Sequence, residues 1–217
     1  MTKKEAASLF PGTLELKPYQ LTGLNWLLCL HHANYNCILA DDMGLGKTIQ
    51  AIGFLTYLQQ NKNVPGPHLI VVPASTYQNW QNEIQLWNPT LFDGLVAYRG
   101  TIKEKEKMRS KNRSKITIVL TTYNMFERDS GKDDRTWLRK FKFKSLICDE
   151  GKYKYKKQKE RALHRVYGKA LVDFNFYSFS LPSNLFCCLF HVSLLILKTP
   201  KTSLLIFFDV INIFWTL

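Results

Sequence analysis

Gly44, Gly46, Lys47 and Thr48 stand together in ADDMGLGKTIQ, between the apolar run NCILA (36–40) and the helical pattern KTIQAIGFLTYLQQ (47–60). Two glycines in that setting let the backbone bend so tightly that successive N–H groups point inward, at the positive end of the helix that follows. Such a nest suits phosphate. Lys47 would reach the outer phosphates of a triphosphate as a point charge, and the Thr48 hydroxyl would coordinate Mg²⁺. The plain alternative is a glycine-rich turn whose threonine caps a helix. The general pattern G-x-x-x-x-G-K-[ST] begins with glycine where this chain has Asp41, so the loop is of a particular subtype.

A phosphate loop needs an acid at the C-terminal end of a neighbouring strand, because ligands of open α/β sheets sit outside the carboxyl ends. The stretch SLICDEG (145–151) supplies two. Asp149 is expected to hold Mg²⁺, directly or through water, and Glu150 to polarise the attacking water. Taken alone, such a pair is an ordinary solvated strand exit. The loop upstream reverses that weighting.

The elements that must position these groups alternate between helical and strand-like patterns from Leu14 to about Ser145, which predicts a parallel α/β sheet with crossover helices. PYQLTGLNWLLCLHH (18–32) carries Leu21, Leu24, Leu27 and Leu28 at helical spacing, with Pro18 acceptable at a helix start. HLIVV (68–72) is a strand closed by Pro73, and the next helix is expected to open on a capping box, Ser75 with Gln78, and to run to about Trp87. LVAYR (95–99), KITIVLTTY (115–123) and KSLICDE (144–150) read as further strands. These runs lack strict alternation, so helices should cover both faces of the sheet.

Of the 217 residues, 46% are apolar, enough for a core. The formal charge of +13 suggests a polyanionic partner, yet it is unevenly placed. Residues 1–151 hold 20 Lys/Arg against 14 Asp/Glu, and residues 152–217 hold 10 against 3. More than half the excess therefore lies beyond the recognisable chemistry. Cys29, Cys37, Cys148, Cys187 and Cys188 show no metal-type pairing and read as isolated thiols of a reducing compartment. MTKKEAASLFPG lacks an apolar stretch of signal-peptide length, which argues against secretion.

The stretches LKPYQLTGLNWL (16–27), ILADDMGLGKTIQAI (38–52), LIVVPASTYQNWQNEI (69–84), TTY (121–123) and DEG (149–151) together resemble the Swi/Snf-type ATPases of helicase superfamily 2, chromatin-remodelling DNA translocases. The resemblance covers residues 14–151, after a lead-in of 1–13. Within the family, GPHLIVVPAST resembles the SMARCAD/Etl-type subgroup. The resemblance implies a RecA-like first lobe, ATP and Mg²⁺ as cofactors, DNA and nucleosomes as partners, a second lobe bearing arginine fingers, and a nuclear location.

Carried onto this chain, it implies that Gln20 contacts adenine and that Asp41, Asp42, Met43, Gly44, Leu45, Gly46, Lys47 and Thr48 hold the phosphates. Asp149 and Glu150 would then serve metal and water, with Lys47 and Glu150 as the catalytic pair. The segment after Val72 and the stretch Thr121-Thr122-Tyr123 would meet the DNA backbone. From the chain alone, Gln20 also reads as an exposed helix residue, and Thr121 and Thr122 as strand-end hydroxyls. The basic strip 99–115 reads as a solvated helix and loop, since no aromatic is interleaved for base stacking.

The text changes after Gly151. Position 152 is Lys where the family has His, and neither the later Thr-Gly-Thr-Pro-type motif nor the second lobe follows. An incomplete sheet followed by an unrelated tail is therefore expected, with the strand bearing Asp149 left as an unpaired edge. Gly151-Lys152-Tyr153 can be encoded by GGTAAGTAT, which contains a 5′ splice-donor consensus, so 152–217 is expected to be translated intron. Residues 174–197 carry no Asp, Glu, Lys or Arg, yet only LFCCLFHVSLLIL is densely apolar, which argues against a membrane span.

Overall fold

A computed structural model of the chain describes residues 1–11, 14–33, 35–39, 41, 44–127, 132–149, 197–198 and 203–207. Strands β1 (Tyr35–Leu39), β2 (His68–Val72), β3 (Leu95–Ala97), β4 (Ile118–Thr122), β5 (Ser145–Cys148), β6 (Leu197–Lys198) and β7 (Ser203–Phe207) form one sheet in the order β3-β4-β2-β5-β7-β1-β6. All neighbours are parallel except β1 and β6. The α/β class and the parallel sheet expected from sequence are as found.

One expectation is corrected. β5 is not an edge: it pairs with β2 on one side and with β7 on the other, and β7 in turn pairs with β1. A segment of the tail thus takes up the backbone donors and acceptors that β5 and β1 would otherwise leave unpaired. Apart from β6 and β7, residues 152–217, among them 174–196 of the stretch weighed as a membrane span, lie outside the described residues. Among the described residues no helix is long and apolar enough to cross a membrane.

Helices α1 (Lys3–Ala7), α2 (Pro18–His32), α3 (Lys47–Asn61), α4 (Tyr77–Trp87) and α5 (Pro89–Asp93) precede β3; α6 (Ile102–Arg109), α7 (Asn124–Glu127) and α8 (Lys132–Leu138) follow it. α2 begins at Pro18, whose fixed φ and missing N–H suit a first helical position. α4 opens one residue later than the expected capping box allows: its N-cap is Thr76, which makes no side-chain cap bond, because its hydroxyl is turned toward Asp149 instead.

Strand periodicity explains the two-sided core. In β2, Ile70 and Val72 join one apolar cluster with Leu24, Ile52, Leu55, Trp80 and Ile84, beneath α2, α3 and α4. Leu69 and Val71 point the other way, to a second cluster with Val119, Tyr98, Trp137, Leu138 and Leu146 under α8. Every residue of β2, β4 and β5 is buried, as continuous apolar runs covered on both faces require.

Candidate nucleotide site

The loop between β1 and α3 turns on two left-handed glycines, Gly44 at φ +82° and Gly46 at φ +80°. Only glycine adopts that backbone without strain. Gly46 is the N-cap of α3 and, having no side chain, caps none of the helix's first amide donors, leaving them for an anion. A Cβ on Gly44 would meet nothing within 4 Å, so the bend opens onto space.

Three side chains clasp this loop. The Lys47 ammonium donates to the Asp41 carbonyl at 2.8 Å, and Gln50 Nε2 donates to Asp41 Oδ2 at 3.0 Å. Gln20 Nε2 donates to the Leu45 carbonyl at 3.2 Å, while its Oε1 accepts from the Lys17 amide at 2.9 Å. Asp41 therefore has a local reason to stand where the general motif has glycine: both its carbonyl and its carboxylate anchor α3. Gln20 is buried against the loop, which removes the reading of an exposed helix residue. Gln50 was not singled out from sequence, although a glutamine three residues after Lys47 on the buried face of α3 was the available signal.

Asp149 follows β5 and is held through its amide, its carbonyl and its carboxylate Oδ2. Its amide donates to the Val71 carbonyl at 2.9 Å, and its carbonyl accepts from the Tyr123 hydroxyl at 2.8 Å. Its carboxylate Oδ2 accepts from Trp80 Nε1 at 2.7 Å and from the Thr76 hydroxyl at 3.3 Å. Burial pushes the thiol of neighbouring Cys148 up to about 12, so it stays protonated and adds no second anion.

Strand register relates the two halves of the site. Ile38 pairs with Ile206 and Ile206 with Cys148; Leu39 pairs with Phe207. Asp149 therefore follows a residue level with Ile38, and two inter-strand spacings separate β5 from β1, about 10 Å. That is the side of the sheet, and roughly the span, that a metal-bound triphosphate would occupy. Asp42, Met43 and Glu150 lie outside the described residues. Among the described residues no group of three His, Cys, Asp or Glu could hold a metal ion, and Thr48 and Asp149 are the candidates expected for Mg²⁺.

In the stretch expected at the DNA backbone the side chains turn inward. The side chains of Thr121, Thr122 and Tyr123 are all buried, and the Thr121 hydroxyl donates to the Tyr98 carbonyl at 2.9 Å. Strand β4 sits between β2 and β3, and its last side chains are consumed by packing. In the basic strip, α6 buries none of its residues, in keeping with a solvated helix, but Lys105 and Arg109 are spent on Asp134 of α8.

A fold with this order of phosphate loop, acid-bearing strand and covering helices is that of a SWI2/SNF2 ATPase core. The chain superposes on such a core from Sulfolobus solfataricus, solved in complex with double-stranded DNA, with a TM-score of 0.61 at 22% identity over 90% of this chain and 32% of that one. The SNF2-related domain model matches residues 19–167, and the chain belongs to that family.

Among curated relatives, it is 49% identical over 150 residues to the rat SWI/SNF-related matrix-associated actin-dependent regulator of chromatin subfamily A containing DEAD/H box 1. It is 44% identical over 146 residues to the ATP-dependent helicase FUN30 of Saccharomyces cerevisiae. These alignments take in 68% and 66% of this chain but only 14% and 12% of the relatives. The likeness to the SMARCAD/Etl-type subgroup is borne out.

Proposed function

We propose that the chain binds ATP with Mg²⁺ as the first lobe of a chromatin-remodelling ATPase that acts on duplex DNA in the nucleus. One observation carries the reading: the uncapped start of α3, bent by Gly44 and Gly46, lies on the same side of the sheet as the buried Asp149 carboxylate, two strands away. Lys47, released from the Asp41 carbonyl, would pair with the outer phosphates. Thr48 and Asp149 fit the hard oxygen ligation of Mg²⁺, and Glu150 would orient the attacking water. Gln20, already bonded to Leu45, would read the base while sensing the loop.

DNA and chromatin enter through likeness: the structural neighbour was solved in complex with double-stranded DNA, and the relatives' names describe chromatin regulators. Transition-state charge in this chemistry is completed by arginine, which the family resemblance puts on a second lobe. We propose that the 217 residues hold nucleotide but turn it over slowly unless that lobe is supplied.

Calorimetry with a slowly hydrolysed ATP analogue tests the reading. Lys47→Ala should weaken binding by roughly 10- to 100-fold, the worth of a charge-assisted contact. Unaltered affinity would overturn the nucleotide site. Duplex-stimulated hydrolysis by this chain alone at about 1 s⁻¹ or faster, an ordinary enzymatic rate, would overturn the slow turnover.

A further inference from the structure

We propose that Trp80 is a positioning residue that, with Thr76 and Tyr123, sets the orientation of the metal-binding Asp149 carboxylate and links it to the helix start facing DNA. The inference rests on the nucleotide reading above and adds residues to it. Trp80 is fully buried, and a buried indole N–H needs an acceptor. Most such donors find a backbone carbonyl. Here the acceptor is a carboxylate at 2.7 Å, reached across 69 residues of sequence, and charge-assisted bonds of this length are the strong and directional ones.

The consequence is geometric. With Oδ2 fixed by the indole and by the Thr76 hydroxyl, the carboxylate plane cannot turn without breaking both bonds. The backbone of the same residue is pinned on the other side by Tyr123, through its hydroxyl to the Asp149 carbonyl. Thr76 and Trp80 bracket the first turn of α4, directly after the segment following Val72, and Tyr123 follows β4. The segment after Val72 assigned to the DNA side by resemblance thus ends in two hydrogen bonds to the one acid assigned to the metal. A duplex that shifts the start of α4 must move Oδ2 with it. By linkage, Mg²⁺-nucleotide and DNA then alter each other's affinity by the same factor.

The test uses the full 217-residue chain with Trp80→Phe and Tyr123→Phe, each of which keeps the ring and deletes one donor. Affinity for a slowly hydrolysed ATP analogue is measured in EDTA, in Mg²⁺, and in Mg²⁺ with a short DNA duplex. Mn²⁺ binding is followed separately by electron paramagnetic resonance. Trp80→Phe should leave the EDTA affinity in place, weaken Mn²⁺ binding about tenfold, as loss of an outer-shell partner does, and abolish the effect of the duplex. Tyr123→Phe should shift the same quantities in the same direction by a smaller factor.

Equal Mn²⁺ affinity and equal duplex response in wild type and both variants would overturn the proposal. So would a loss in EDTA as large as the loss in Mg²⁺, which would mark Trp80 as mere packing. Failure of wild type to bind the analogue, or indifference to Lys47→Ala, would instead take down the parent reading and this inference with it.

Discussion

The two halves of the site meet the ligand differently. On the acid side, β2, β4 and β5 are buried throughout, and Asp149 is fixed by a bond to Val71 and by bonds from Tyr123, Thr76 and Trp80 before any ligand arrives. On the loop side, the groups proposed for the nucleotide are bonded to the loop itself: Lys47 to Asp41, Gln20 to Leu45. One side is preorganised, and the other must exchange its internal bonds for ligand. The difference teaches where stability and binding are separable. Substitutions on the acid side should cost folding first, and those on the loop side binding first.

The largest test of that separation is Trp80→Ala. Removing a fully buried indole that also satisfies a carboxylate should cost about 3–5 kcal/mol, read as a shift in the urea midpoint at constant slope. Lys47→Ala, partly exposed and bonded only through a flexible stem, should change stability by less than about 0.5 kcal/mol while abolishing tight nucleotide binding. If Lys47→Ala unfolded the protein and Trp80→Ala did not, the comparison would be inverted.

Next comes the polar tie between α6 and α8. Asp134 is 5% exposed and accepts from Lys105 at 2.8 Å, from the Tyr98 hydroxyl at 2.7 Å and from Arg109. Burial works against its ionisation, but the bonds from Lys105, Tyr98 and Arg109 outweigh it and hold the carboxyl below its usual range. Asp134→Ala leaves both cations short of their partner and should cost about 3 kcal/mol at pH 7. Because the folded pKa is the lower one, that stability is present above the ordinary carboxylate range and fades as pH falls through it.

The sequence made most of the acid side legible, and for a physical reason. HLIVV and KSLICDE are apolar runs long enough to be strands and short enough to exclude helices: the first matches β2 end to end, and the second contains β5 with one extra residue before it and two after it. The phosphate loop was legible because Gly44 and Gly46 are needed for a backbone no other residue adopts cheaply. Three things were not legible. Gln50 clasping Asp41 is a contact between one side chain and a loop whose shape is set by its glycines. The Trp80 bond to Asp149 joins residues 69 apart through the packing of α4, and periodicity reports only that Trp80 is inside. The β7 insertion depends on strand pairing across the whole chain, which composition, read here as a foreign tail, does not encode.

A third test concerns pH and again belongs to the acid side. His68 begins β2, is fully buried, and shares a hydrogen bond with the Ser145 hydroxyl of β5 at 3.1 Å. Burial pushes its pKa down to about 4. The unfolded chain therefore takes up the proton first: stability is fully present above pH 6.5 and is lost as pH falls toward 4. Between pH 7.5 and 4.5 the loss should be about 2–3 kcal/mol, and His68→Gln should flatten that part of the stability profile. An unchanged profile in the variant would place the acid sensitivity elsewhere.

The smallest effects return to the loop and sharpen the comparison within it. Gly44→Ala forces a Cβ into the left-handed region but into open space, so it should cost only about 1 kcal/mol, the conformational term alone. Gly46→Ala carries the same conformational cost, and its Cβ would stand 2.4 Å from Gln20 Nε2, so Gln20 must leave Leu45. It should therefore cost roughly 1 kcal/mol more, a net hydrogen bond, and should weaken nucleotide binding more than Gly44→Ala does. Combining Gly46→Ala with Gln20→Ala separates the two terms, because removal of the clashing amide leaves only the backbone cost. A double variant no more tolerant than the sum of the singles would mean that Gln20 does not set the shape of the loop.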